Sequence, residues 1–312
     1  MDNIRNVAII GAGMMGHGIA QIFASKGYSV ALMDINEDIL TQALDKVREN
    51  LKLMSANGIE VGQGLEDVVQ RIKVTTDLSE AVKDADFVVE AVLEKLDLKQ
   101  ELFQKMDEMC PSDTILATNT SVISITEIAQ RAKNRGRILG THFWNPPFLV
   151  PLVEVVKGQD TSEAAMEITY DLLKQVGKHP VKVYKDVPGF VGNRLQHALW
   201  REAISIVERG IADAATVDEC VKYGFGMRLP VLGPLENADM VGLDLTLAIH
   251  DYILKYLESS PDPSPLLKEK VQRKELGFKT GKGLQEWPSE RTDKLRRALQ
   301  EHLLAWTKRI AP

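Results

Sequence analysis

The sequence predicts an α/β fold, a doubly wound and mostly parallel sheet followed by an all-α segment, and three observations carry that reading. Short β-branched runs alternate with amphipathic stretches from Ile4 to about Val183, the pattern of a parallel sheet covered on both faces. A glycine cluster, Gly11-Ala12-Gly13-Met14-Met15-Gly16, stands between the first apolar run and the first helical stretch. After Asp186-Val187-Pro188-Gly189 the pattern turns almost purely helical.

Taken in order, Val7 to Ile10 is the first strand, Ile19 to Ser25 the first helix and Ser29 to Met33 the second strand. A charged helical stretch, Glu37 to Ala56, then a break at Asn57-Gly58 and a short helix near Leu65 to Gln70 precede the third strand, Ile72 to Thr75. That excursion is longer than a crossover needs, and it reads equally as a substrate-facing helical hairpin or a solvated insertion. Phe87 to Val89, Thr114 to Ala117, Ile138 to Thr141, Leu152 to Val156 and Val181 to Tyr184 complete the sheet. Helices are expected over Phe190 to Gly210, Ala214 to Tyr223, Ala238 to Glu258 and Thr292 to Arg309. Loops are marked by Pro261, Pro263 and Pro265 and by Gly277 to Gly283.

At 312 residues the chain exceeds one compact core, so two domains are expected, 1–186 and 187–312. Lys plus Arg (38) against Asp plus Glu (44) gives a net charge of −6, too mild for a nucleic-acid surface. Cys110 and Cys220 lie far apart and outside any metal-ligand spacing, so neither a zinc site nor another metal is expected. A polar start leads straight into a strand, and no apolar run approaches the ~18 to 20 residues that cross a bilayer. A cytoplasmic protein without a membrane partner is the expectation.

The glycine cluster lies between a strand and a helix, the context that makes this pattern informative. Its first Gly permits a tight turn, its second admits a pyrophosphate and its third allows close helix packing. Gly11, Gly13, Met14, Met15 and Gly16 are therefore the expected cradle of a dinucleotide, in a Rossmann-type domain. Asp34 ends the second apolar run, where an acid accepts from ribose hydroxyls and repels a 2′-phosphate, which favours NAD over NADP. A flavin dinucleotide shares the fingerprint; a base further along the chain favours the nicotinamide.

That base is His142, at the end of the run Ile138 to Thr141 and just before Pro146-Pro147 turns the chain. Period-two alternation places Leu152, Glu154 and Val156 on one face of the next strand. A carboxylate in such a run needs a partner, and an imidazole, which titrates in the physiological range, is suited to provide one and to take a hydroxyl proton.

These residues resemble the 3-hydroxyacyl-CoA dehydrogenase family over nearly the whole chain. The matching motifs are Gly11 to Gly16, Val89-Glu90-Ala91-Val92-Leu93-Glu94, Asn119-Thr120-Ser121, His142 with Asn145-Pro146, Leu152-Val153-Glu154-Val155, Pro188-Gly189-Phe190 with Asn193-Arg194, and Lys279-Thr280-Gly281-Lys282-Gly283. The resemblance implies an NAD-dependent oxidoreductase acting on CH-OH, with His142 as base, Glu154 as its partner, and Ser121 and Asn193 at the reacting oxygen. It also implies that Ala91, Glu94, Lys99, Ser121 and Asn145 line the nicotinamide side.

For the substrate two branches stay open. Gly224 to Pro234 is longer than the corresponding stretch of typical acyl-CoA members, and with Asn145-Pro146-Pro147 and Ala198 to Ala203 it is more similar to carnitine, gulonate and pyridine-carboxylate dehydrogenases. Gly277 to Gly283 resembles the acyl-CoA enzymes, and the Glu37 to Gln70 excursion occupies the place where they contact CoA. A short-chain (S)-3-hydroxyacyl-CoA, within fatty acid metabolism, is placed first. In the free-acid alternative Arg228 would hold a carboxylate by two parallel hydrogen bonds. A crystallin-like NADH-binding role without turnover is the remaining alternative, against which Ser121, His142, Glu154 and Asn193 speak. The apolar faces of the helical domain predict a homodimer.

Overall fold

The computed structural model describes residues 4–62 and 64–310; residues 1–3 and 311–312 of the expected domains lie outside the described residues. Strand β1 (Asn6–Ile10) runs into helix α1 (Gly16–Ser25), followed by β2 (Ser29–Met33), α2 (Glu37–Ala56), α3 (Leu65–Gln70) and β3 (Ile72–Thr75). Then come α4 (Leu78–Val82), β4 (Phe87–Glu90), α5 (Leu96–Met109), β5 (Ile115–Thr118), α6 (Ile125–Ile128) and β6 (Ile138–Phe143). β7 (Leu152–Val156), α7 (Glu163–Gln175) and β8 (His179–Val183) complete an eight-stranded sheet in the order β3-β2-β1-β4-β5-β6-β7-β8. Strand order reverses at β1, which puts a crevice at the C-terminal ends of β1 and β4, where such sheets bind ligands.

Every neighbouring pair is parallel except β6 with β7. No crossover helix separates those two, so the chain returns antiparallel. Both faces are buried, and alternation sorts the residues between them. Val7, Ile9, Leu32, Phe87 and Val153 join one core with Phe23, Leu51 and Leu172. Ala8, Ile10, Val88, Leu116 and Val156 join the other with Phe103, Ile128 and Phe190. Helix α2 turns Leu40, Ala43, Val47 and Leu51 inward, and Asn50 Nδ2 donates to Gln21 Oε1 of α1 at 3.0 Å.

The helical part comprises α8 (Gly192–Glu208), α9 (Ala214–Tyr223), α10 (Pro234–Val241), α11 (Leu243–Ile253), α12 (Pro265–Gln272) and α13 (Ser289–Ile310). By their contacts, the residues fall into one compact unit that extends to Asn193 and takes back the chain from Leu299, and a second spanning Arg194–Ala298. Among the described residues of the second unit no large apolar side chain is buried, and Leu235, Val231, Leu243 and Leu247 are exposed. No helix among the described residues is long and apolar enough to cross a membrane.

Several expected elements differ in their bounds: the strand expected over Val181 to Tyr184 runs His179–Val183, the first helix starts at Gly16 rather than Ile19, and Pro265, expected in a loop, opens α12. The helix expected over Ala238 to Glu258 is broken at Gly242, whose φ of 104° is open to glycine and ends α10. The strand expected to stop at Thr141 continues to Phe143, because β7 pairs with its last residues, and His142 therefore lies within the strand.

Candidate active site

The glycine turn is held by its own backbone. Gly11 N donates to Met33 O at 2.7 Å, and Ala12 N donates to Asp34 Oδ2 at 2.9 Å. Asp34 thus joins the turn to the end of β2 through one oxygen. A Cβ on Gly16 would stand 1.7 Å from the Gly11 carbonyl oxygen, whereas one on Gly13 would meet nothing within 4 Å. Gly16 closes the turn against itself and Gly13 leaves its outer side open, the fit a pyrophosphate requires. No side chain caps the N-terminus of α1, so its first amides are available to an anion. Gly16→Ala is expected to raise the NADH Kd at least about tenfold, or 1.4 kcal/mol, measured by fluorescence titration; an unchanged Kd would mean that the turn tolerates the methyl group. His17, without an assigned role in the sequence, sits below: its Nδ1 is 2.8 Å from Gly13 O, and burial pushes its pKa down, so the neutral ring donates to the turn.

At the end of β4 the Ala91 carbonyl stands against Gly11, where a Cβ would approach it to 2.7 Å. Glu90 and Lys99 are buried together, with Lys99 Nζ 2.7 and 3.0 Å from the two Glu90 oxygens and 3.2 Å from Glu94 Oε2. Glu94 Oε1 accepts from the Thr120 hydroxyl, from Ser121 N at 2.9 Å and from Val122 N at 3.3 Å. Burial pushes the Glu94 carboxyl up, but Thr120, Lys99 and the Ser121 amide outweigh it and hold the group below the ordinary carboxylate value. The turn carrying Ser121 is thereby pinned. Lys99, expected to line the nicotinamide side, is only 1 % exposed, and its ammonium is engaged by Glu90 and Glu94.

The expected pair is formed. His142 and Glu154 are direct cross-strand partners in the β6–β7 ladder, and His142 Nδ1 lies 2.8 Å from Glu154 Oε2. They are 5 % and 1 % exposed. The other Glu154 oxygen accepts from Val191 N at 2.9 Å and Gly192 N at 3.0 Å, at the start of α8. Burial pushes this carboxyl up, but the bonds from His142, Gly192 and Val191 outweigh it and keep it below the ordinary value. An ionised carboxylate only accepts, so Nδ1 carries the proton and Nε2 keeps the lone pair of a base. Phe190 and Trp144 pack on the imidazole at centroid distances of 5.8 and 5.3 Å. Glycine at 192 makes room for the indole, which a Cβ would approach to 2.5 Å.

Asn119 Oδ1 accepts from Phe143 N at 2.8 Å, and Asn193 Nδ2 donates to Ser121 O at 3.1 Å. Ser121 and Asn193 are thus brought together through the main chain. Asn145 and Met14 are exposed and Met15 half-buried, while Arg228 is exposed in the second unit, on the turn that follows Phe225–Met227. Two groups were given no role from the sequence: Glu90, named only as part of the Val89 to Glu94 motif, and Lys178. The Lys178 ammonium donates to the carbonyls of Pro147 and Val150, the latter at 3.0 Å, and burial brings its pKa down to about 7.

A doubly wound sheet whose glycine turn fits a dinucleotide, with a carboxylate-bound histidine on a nearby strand, defines a dinucleotide-dependent oxidoreductase. Residues 6–187 match the family model of the 3-hydroxyacyl-CoA dehydrogenase NAD binding domain, and residues 189–287 that of the C-terminal domain of the same enzymes. The chain belongs to the 3-hydroxyacyl-CoA dehydrogenase family and uses NAD. It is similar to 5-formyl-3-hydroxy-2-methylpyridine 4-carboxylate 5-dehydrogenase of Mesorhizobium japonicum, 35% identical over 302 residues and 97% of each chain. It is likewise similar to the mitochondrial hydroxyacyl-coenzyme A dehydrogenase of Rattus norvegicus, 40% identical over 287 residues and 90% of each chain. A solved structure of a 5-dehydrogenase of the first kind, described as an NAD+ dependent dismutase, has a TM-score of 0.89 at 34% identity over 97% of each chain.

Proposed function

We propose that this chain reversibly oxidises the hydroxyl of a short-chain (S)-3-hydroxyacyl-CoA to the 3-oxo group, with His142 as the base. The observation that carries the reading is the buried His142–Glu154 pair at 2.8 Å, with His142 on β6, two strands along the sheet from β4. The balance is alcohol and NAD+ against ketone, NADH and one proton; NAD, when bound, supplies the hydride acceptor. His142 Nε2 takes the hydroxyl proton, Glu154 stabilises the imidazolium, and Ser121 and Asn193 hold the oxygen on which charge develops. In the reverse direction the same imidazolium returns the proton. In this reading residues 1–186 bind the cofactor and 187–312 supply the substrate and dimer surfaces; the exposed Leu235, Val231, Leu243 and Leu247 support a homodimer.

A second reading, a small free hydroxy acid as substrate, is favoured by the 97% mutual coverage with a pyridine-carboxylate dehydrogenase and by the Gly224 to Pro234 stretch. NADH absorbance with acetoacetyl-CoA, dehydrocarnitine and other free 3-oxo acids separates the two. Turnover of the thioester is expected, with Arg228→Ala kinetics unchanged. Turnover confined to free acids, with Arg228→Ala raising KM by ~1.4 to 3 kcal/mol, about 10- to 150-fold, as loss of a charged hydrogen bond does, would overturn the thioester reading. NADH binding without turnover of any of them would overturn both.

A further inference from the structure

The ion network beneath the Ser121 turn carries an unbalanced charge that proton transfer through His142 does not use. Glu90 has no exposed surface and Lys99 is 1 % exposed. Two carboxylates, Glu90 and Glu94, face one ammonium, and among the described residues neither is paired with another cation. The remaining partners are neutral: Val92 N and the Thr118 hydroxyl, each donating to Glu90 at 2.7 Å, and the Thr120, Ser121 and Val122 donors to Glu94. A fastening for the turn needs no net charge. One unit of negative charge, shared between the buried Glu90–Lys99 pair and the partly exposed Glu94, instead projects a potential toward whatever binds over the ends of β4 and β5.

The hydride leaves the carbinol carbon and the proton its hydroxyl, and the proton goes to His142 on β6, so the acceptor ring would lie near the Ser121 turn at the C-terminal end of the sheet. That ring is a cation when oxidised and neutral when reduced. We propose that the Glu90–Lys99–Glu94 network selects the oxidised cofactor, its net negative charge stabilising the nicotinamide cation and leaving the reduced ring nearly untouched. The proposal rests on the dehydrogenase reading for the place of the ring. Glu94 acts on the ring directly through space. Glu90 acts through Lys99, whose ammonium it shares with Glu94, and is a positioning residue. On the protein the network therefore draws the equilibrium toward alcohol and NAD+.

The test is calorimetric titration of NAD+, NADH and ADP-ribose into wild-type protein and into Glu90→Gln and Glu94→Gln, each of which removes one negative charge while keeping the side chain's size. The NAD+ Kd is expected to rise about tenfold in each variant, with NADH and ADP-ribose within about twofold of wild type, as for a unit charge acting across a partly screened distance. Parallel changes for NAD+ and NADH, or no change for either, would overturn the proposal. ADP-ribose lacks the nicotinamide and reports whether the fold and the pyrophosphate cradle survive. Should Glu90→Gln lose it, the partly exposed Glu94→Gln decides alone. Failure of the dehydrogenase reading is visible separately, as NADH binding without turnover of any 3-oxo substrate.

Discussion

His142→Gln is expected to lower kcat by about 10²- to 10⁴-fold, the range of a lost general base, with the NADH Kd unchanged. Glutamine approaches the size of the imidazole and can still donate to Glu154, so the β6–β7 ladder and the packing against Phe190 and Trp144 are retained. It has no basic nitrogen to receive the hydroxyl proton. The glycine turn follows β1 and Asp34 follows β2, apart from the substituted side chain on β6, so cofactor binding is the internal control. A fall in kcat accompanied by an equal loss of NADH binding would point to damage of the sheet rather than loss of a base.

Glu154→Gln is expected to cost nearly as much, about 10²- to 10⁴-fold in kcat, by a different route. Its amide oxygen can still accept from Val191 N and Gly192 N, which leaves the NH2 group facing His142 Nδ1. Two donors cannot pair, so the imidazole shifts its proton to Nε2 and presents a donor where a base is required; a wrong tautomer of this kind has cost about 10⁴ in a well-studied triad. Stability should change as well. The folded-state pKa of Glu154 lies below its ordinary value, so its contribution is complete above the unfolded carboxylate pKa of about 4.3 and is lost as pH falls through the lower folded value. Thermal melts of wild type and Glu154→Gln should therefore differ at neutral pH and converge in acid; a constant difference across that range would contradict the assignment.

What was legible in the sequence was local. The strand, glycine turn and helix at Val7 to Ser25 follow from apolar periodicity and turn chemistry within a few residues. The His142–Glu154 pair was legible because Pro146-Pro147 turns the chain between two short strands and period two fixes which residues share a face. Its register, with the strand carried on past Thr141, was not, since that depends on the ladder with β7. Nor was the second task of Glu154, because its amide partners lie at the start of α8. Glu90 and Lys99 stand nine positions apart, but only the return of α5 over β4 buries them as a pair. Gly242 was read inside one long helix because apolar residues continue at helical spacing on both sides, and its positive φ is set by the fold. The substrate stays least legible of all, because Arg228 sits on an exposed turn whose local sequence fixes no partner.

The most direct test of the central claim is NADH consumption by wild type and His142→Gln with acetoacetyl-CoA and with free 3-oxo acids, with the NADH Kd measured on the same preparations. Wild type is expected to turn over acetoacetyl-CoA, and the variant to bind NADH equally well while losing turnover by at least about 10²-fold. Equal rates for the two proteins, or NADH binding by wild type without consumption on any of these substrates, would contradict the account.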